Sequence, residues 1–162
     1  MTIRRNPRAV AARAIVVHDA GHARAALAAA EALDVPVLLL SASGFAGYGG
    51  ALLFCAIVEE ARAHHPKARA AAMLDCADSP GHALAALRTG LKAIRLGGHA
   101  GARRRVADIA RTLGAHVAAR RPVALDLLGL DDPVAASRNW LGPKAGKITG
   151  KRPNERPGRA RA

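Results

Sequence analysis

A cysteine and a histidine are the clearest candidates for metal chemistry in this sequence. Cys76 follows the apolar run that ends at Leu74, and His99 follows another apolar run after two glycines. In a parallel sheet the carboxyl ends of the strands share one edge, so these two side chains are expected at adjacent strand ends. Thiolate and imidazole are ligands that zinc prefers. The pair Cys76 and His99 is therefore a candidate metal site, and a buried apolar thiol is the alternative for Cys76.

Two glycine-rich loops are candidates for binding phosphate. The segment SASGFAGYGG, residues 41–50, has the small residues that let a backbone approach an anion, and a helix is expected to follow it. It contains Ser41, Ser43 and Gly44, which we take as candidate ligand contacts. Gly97 and Gly98 form a similar turn. Neither segment is a Walker A loop or a dinucleotide fingerprint, and tight strand-to-helix turns use the same residue types.

The elements around these residues alternate between strands and helices. Apolar runs at 14–17, 35–40, 68–74 and 93–96 are typical of buried strands. Segments 21–33, 49–65 and 103–113 have helical spacing, and Ser79 with Pro80 predicts the start of a further helix that ends at Gly90. Residues 116–119 and 123–128 are two alternatives for a fifth strand.

Four such units predict an α/β fold of parallel β-α repeats covered by helices. The preferred architecture is half of a TIM-type barrel, and the alternative is an open doubly wound sheet. A half-barrel leaves two unpaired edges, which predicts a homodimer or a partner chain that completes the sheet.

Composition bounds the class of protein. The chain has 162 residues, of which 51% are hydrophobic, and no apolar run reaches the length of a membrane span. Two cysteines are too few for a disulfide framework, and no apolar signal core follows the first residues. We therefore expect no membrane and a cytoplasmic location.

Positive charge is concentrated at the end of the chain. The net charge is +13, and residues 142–162 contain seven Lys or Arg and a single acid, Glu155. This segment is rich in Gly and Pro and is expected to be a disordered basic tail that attracts polyanions without sequence specificity. The predicted organisation is a basic N-terminal segment at 1–13, a β/α domain at 14–141 and the tail at 142–162.

A family resemblance adds to this picture. It is carried by ARAALAAAEALDVPVLLLSASGFAGYGGALL at 23–53 and HHPKARAAAMLDCADSPGHALAALRTGLKAIRLGG at 64–98. Their order of helix, Pro-Val strand, Gly and Tyr loop, His-Pro turn and strand ending in Asp resembles the N-terminal half of class II fructose-bisphosphate and tagatose-bisphosphate aldolases. Those enzymes are zinc-dependent barrels, and the resemblance covers about half of their length.

The resemblance implies a catalytic role for one residue and the loss of its neighbours. Asp75 corresponds to the family's central aspartate, which donates a proton to the carbonyl in aldol cleavage. The two histidines that flank this aspartate in the family, of which the second binds zinc, are Met73 and Cys76 here. The next glycine of the family is Ala77.

Other positions of the family pattern are also changed. The Asp-Gly-Ser turn of the family is Leu96-Gly97-Gly98 here, and its Glu-x-Glu strand corresponds to Ala118 and Arg120. Ser43 corresponds to a serine that contacts substrate, whereas the family's glutamine before it is Ser41. The family's second half, with its remaining metal ligands, has no counterpart in these residues.

Three functions follow as expectations. The first is a degenerate aldolase-like domain without catalysis or cofactor, which binds a phosphorylated small molecule or regulates a partner. The second is an aldehyde-lyase component with zinc, completed by a partner chain. The third is an RNA- or nucleoid-associated protein that uses the basic tail.

Deletion of residues 142–162 tests the third function. We expect the thermal midpoint to stay almost unchanged, because the segment has no large apolar residue after Ile148. Affinity for single-stranded RNA should fall, and its log–log salt slope should shrink by about 0.7 for each lost phosphate contact. Salt titrations of both proteins measure this change. RNA affinity that is unaltered by the deletion would contradict a role for the tail.

Overall fold

The computed structural model describes residues 12–143, and the segments 1–11 and 144–162 lie outside the described residues. Almost all residues of the tail, for which the sequence predicts disorder, therefore lie outside the described range. The strands are β1 (Arg13–Val17), β2 (Val37–Ser41), β3 (Ala70–Asp75), β4 (Ala93–Arg95), β5 (His116–Ala118) and β6 (Ala124–Asp126). The helices are α1 (Ala20–Ala32), α2 (Phe45–Tyr48), α3 (Gly50–His64), α4 (Pro80–Arg88), α5 (Ala100–Thr112) and α6 (Pro133–Leu141).

The six strands form one all-parallel sheet. Their order is β5-β4-β3-β2-β1-β6, so the first five strands pair in chain order, β1 with β2 and so on to β4 with β5. β6 pairs with the other side of β1, where Val16 is in register with Asp126. The predicted α/β fold of parallel β-α repeats is therefore confirmed. Both alternatives for a fifth strand form strands, as β5 and β6.

The helices form a row that follows the order of the strands. α1 packs against α6 on one side and α3 on the other, and α4 lies between α3 and α5. The main core lies between this row and one face of the sheet, where alanines of α1 such as Ala26 and Ala29 are fully buried. Small side chains let helix backbones approach the sheet closely. None of the described helices is long and apolar enough to cross a bilayer.

The opposite face of the sheet is concave. A flat sheet of six strands would separate its edges by about 24 Å, at roughly 4.8 Å per strand. The connection from Ala118 at the end of β5 to Ala124 at the start of β6 has six Cα steps, which reach at most about 21 Å. Ala118 and Ala124 also pack against one cluster on this face. The sheet therefore curls until its two edge strands approach each other.

Both predicted architectures describe part of this sheet. The edge strands β5 and β6 are not paired with each other, so the sheet is open, as in the doubly wound alternative. The consecutive order of β1 to β5 and the single row of helices are the winding of a barrel segment. The outer edges of β5 and β6 are unpaired, and the prediction of a partner chain depends on such edges.

The last described helix joins the two ends of the described range. α6 is capped by Asp132, which accepts a hydrogen bond from the amide of Ala135 at 2.9 Å. Trp140 Nε1 donates to the carbonyl oxygen of Ala14 at 2.9 Å. Arg13 donates to the carbonyl oxygens of Trp140 and Gly142, at 2.5 and 2.6 Å. The predicted domain of 14–141 therefore extends at least from Arg13 to Gly142, and a tail deletion that preserves these contacts starts after Pro143.

Replacement of Trp140 by Phe tests this closure. The variant keeps most of the apolar packing but removes the indole donor to the Ala14 carbonyl, so we expect a loss of about 1 kcal/mol in the free energy of unfolding. Urea unfolding followed by far-UV circular dichroism measures it, since Trp140 is the only tryptophan. Tyr48→Phe is the control, because that ring is 70% exposed and the change should cost nothing.

Candidate functional site

Polar side chains collect at the carboxyl edge of the concave face. The cluster on the concave face includes Val16, Met73 and Ala93, and Ala124 packs against it. Because side chains alternate along a strand, the residue two positions after each of these lies on the same face. The residues reached in this way are His18, Asp75, Arg95 and Asp126. We call them, together with Arg121 and Ser41, the mouth cluster.

Asp75 is the centre of the mouth cluster and is fully buried. Its Oδ1 accepts hydrogen bonds from the amides of Ala77 at 2.8 Å and Gly44 at 3.2 Å. Arg121 Nη1 donates to its Oδ2 at 2.5 Å, and Arg95 Nη1 lies 3.5 Å from its Oδ1. Because every partner is a donor, the geometry is that of an ionised acceptor. It favours a role for Asp75 in holding the site together.

Ser41 joins the ends of β2 and β3. Its hydroxyl accepts a hydrogen bond from the amide of Asp75 at 2.9 Å and donates to the carbonyl of Ala42 at 3.0 Å. The carbonyl oxygen of Ser41 accepts from Arg121 Nη2 at 2.7 Å. The serine is fully buried, so its polar atoms serve the protein itself.

A histidine and a carboxylate form a second pair at the same edge. His18 Nε2 lies 2.8 Å from Asp126 Oδ1, which also accepts from the amide of Leu128 at 2.9 Å. Burial raises the pKa of Asp126, but the Leu128 amide, His18 and the charge of Arg121 outweigh it and lower the pKa below its usual value. Asp126 is therefore ionised at neutral pH.

Cys76 and His99, the candidate metal pair, lie at this edge of the sheet, but their side chains have other roles. Cys76 is fully buried, and its pKa is raised to about 12 by burial first and then by the charge of Asp75, with Arg95 acting in the opposite direction. His99 accepts a hydrogen bond from the amide of Gly101 at 3.2 Å and so caps α5. Within residues 12–143 no three His, Cys, Asp or Glu side chains come together as metal ligands. Cys76 and His99 alone are fewer than the three protein ligands that a catalytic zinc needs.

The candidate phosphate loops have structural reasons for their glycines. A Cβ at Gly97 would lie 2.9 Å from Arg95 Nη2, and a Cβ at Gly98 would lie 2.9 Å from Cβ of Asp78. Gly98 also has a φ of +71°, which favours glycine. Gly44 donates to Asp75, and Ser43 beside it is exposed. Of the predicted ligand contacts, Ser43 and Gly98 are the exposed ones.

Two arginines of the mouth cluster were not predicted from the sequence. Arg95 interrupts the apolar run of β4, and a charge inside such a run is a local signal that a functional site is near. Arg121 lies in the connection between β5 and β6 and reaches partners 46 and 80 residues earlier in the chain. No local pattern distinguishes it from its exposed neighbour Arg120.

A groove of about 400 Å³ lies elsewhere, at the amino ends of the strands. None of the mouth cluster lines it, and both ends of the described chain border it. Its lining consists of Ala12, Arg13, Leu33, Val35, Pro36, Leu141, Gly142 and Pro143.

No family model matches this chain, and no curated protein matches it significantly. The similarity to class II aldolases therefore stays an expectation that depends on the motifs quoted above.

Replacement of Arg121 by Ala tests how far the fold depends on the mouth cluster. The variant leaves the buried carboxylate of Asp75 without its shortest ion pair, so we expect a loss of about 2–3 kcal/mol in the free energy of unfolding. Arg120→Ala is the matched control and should change stability by less than about 0.5 kcal/mol, because Arg120 is exposed. Equal effects of the two changes in urea unfolding would show that Asp75 does not need this guanidinium.

Proposed function

We propose that this chain is a binding domain for a small anionic ligand, with phosphorylated small molecules as the ligand class and no metal-dependent aldol cleavage of its own. The convergence of Arg95 and Arg121 at the carboxyl edge of a parallel sheet carries the proposal. Open parallel sheets bind ligands at this edge, where loops and strand ends surround the site.

The two arginines have more donors than the described acceptors use. A guanidinium has five N–H groups, and Arg121 uses two of them on Asp75 and Ser41. Its side chain is 27% exposed, so part of it is open to a ligand. Arg95 Nε is buried and has no hydrogen-bond partner within the described range. Arginine is well suited to phosphate because its planar fork gives paired, charge-assisted hydrogen bonds.

The state of Asp75 supports binding over aldol cleavage. A proton donor needs an oxygen that faces the substrate, whereas both oxygens of Asp75 accept hydrogen bonds within the protein. Cleavage of a carbon–carbon bond next to a carbonyl also needs a group that stabilises the enolate, which zinc does in the family that this chain resembles. At the position of the family's zinc-binding histidine this chain has Cys76, whose thiol is fully buried.

Ligand titrations test the binding function. The probes are inorganic phosphate, glycerol phosphate and dihydroxyacetone phosphate, with glycerol as the uncharged control, followed by backbone amide NMR. We expect chemical-shift changes at the strand ends of the mouth cluster with the anions and none with glycerol. Arg121→Lys should weaken binding by about tenfold, since a lysine loses the paired hydrogen bonds. Arg120→Lys is the matched control and should bind as the unmodified chain does.

Metal analysis distinguishes this proposal from the lyase alternative. The unpaired edges of β5 and β6 favour that alternative, because a partner chain or a second copy can pair with them and complete the sheet. We expect no stoichiometric zinc and no chelator-sensitive cleavage of fructose or tagatose bisphosphate. One zinc per chain, with cleavage abolished in Asp75→Ala, would overturn the binding proposal and establish the lyase. Absence of binding by every anion would also contradict the proposal.

A further inference from the structure

His18 and Asp126 form an ordered pair that the binding function does not require. His18 directly follows β1, and Asp126 ends β6, the parallel neighbour of β1. His18 Nε2 lies 2.8 Å from Asp126 Oδ1, and the Leu128 amide holds that same oxygen at 2.9 Å. Two contacts therefore fix the carboxylate, and the carboxylate fixes the imidazole.

A second histidine restricts the ring of His18. The rings of His18 and His22 meet edge to face, with centroids 5.7 Å apart and planes at 86°. Since Asp126 is an acceptor, the neutral His18 carries its proton on Nε2 and has a lone pair on Nδ1. Nδ1 of His18 has no described hydrogen-bond partner, and it is not among the buried polar atoms that lack one. Nδ1 of His22, in contrast, is buried and has no partner. Of the two Nδ1 atoms, that of His18 is the one that a reagent can reach.

An anion-binding group lies at the adjoining strand end. Val17, the residue before His18, is in register with Ser41, whose carbonyl oxygen accepts from Arg121. The charge of Arg121 also acts on Asp126. A phosphoryl group held by the unused N–H groups of Arg121 is thus brought to the side of the mouth where His18 lies.

We propose that His18 Nδ1 is a phosphoryl acceptor, with Asp126 as its positioning residue and an acyl phosphate as the class of donor. The lone pair of Nδ1 attacks phosphorus, the P–O bond to the acyl group breaks, and the carboxylate leaves with its electron pair. The proton on Nε2 stays in place, and Asp126 stabilises the positive charge that develops on the ring. The inference shares Arg121 with the proposed binding function but needs no stable complex.

Acetyl phosphate is the probe that tests it, used on the full chain. Phosphohistidine is stable in alkali and labile in acid, so phosphorus NMR with peptide mass spectrometry identifies both the bond and the residue. We expect His18 to be labelled at least about tenfold faster than His116. His116 is an exposed histidine at the start of β5, while the side chain of His18 is 23% exposed. If exposure alone set the labelling rate, His116 would be labelled faster than His18, and that result would overturn the proposal.

Variants give the second part of the test. His18→Gln should abolish the fast labelling, and Asp126→Asn should slow it by about tenfold or more while the nitrogen NMR spectrum shows a changed tautomer of His18. His116→Gln is the matched control and should leave the fast labelling unchanged. Unfolding in urea should abolish the preference for His18. An unaltered labelling rate in Asp126→Asn would overturn the positioning role.

The outcomes for the two proposals are distinguishable. Binding of glycerol phosphate without any fast labelling of His18 would sink the phosphoryl-acceptor proposal and leave the binding function intact. Fast labelling of His18 in a chain that binds none of the anions would support this inference and contradict the binding function.

Discussion

The buried carboxylate of Asp75 is the constraint on which the carboxyl edge of the sheet depends. A charge that is removed from water is costly unless donors and opposite charges surround it. Here those donors come from the loop after β2, from β4 and from the connection before β6. One carboxylate therefore holds together segments that are distant along the chain, and Arg121 can reach it only because the sheet curls.

The curl depends on small side chains. The concave face is filled by a few residues of modest size, among them Val16, Leu40 and Met73, with alanines contributed by both edge strands. Larger side chains at Ala118 or Ala124 would push the edges apart, because closely packed interiors tolerate little extra volume. The high alanine content therefore has a structural role on this face as well as between the helices and the sheet.

The chemistry of the mouth cluster is based on arginine and histidine. At the position that the resemblance assigns to a zinc-binding histidine, this chain has Cys76, a buried thiol whose pKa is raised to about 12. His99, the other candidate ligand, caps α5. A thiolate is the form that binds metal, and burial disfavours it. Guanidinium groups and an ordered imidazole suit anions and phosphoryl groups instead. The proposed functions follow from this change in the type of side chain.

The sequence by itself determined the local elements. Apolar runs predicted the strands, and helical spacing predicted three of the helices. Ser79 with Pro80 marked the start of a fourth, α4, where the Ser79 hydroxyl accepts from the amide of His82 at 3.3 Å. These signals are local, because periodicity and capping involve neighbours along the chain.

Only the tertiary structure decided the place of β6 beside β1, the role of Arg121 and the pairing of His18 with Asp126. The pairing of β6 with β1 joins residues 110 positions apart, from Ala14 to Ala124. The side-chain contacts of Arg121 and of His18 join residues 46 to 108 positions apart. They arise when a curled sheet brings a buried charge and its partners together, and no short sequence pattern encodes that event.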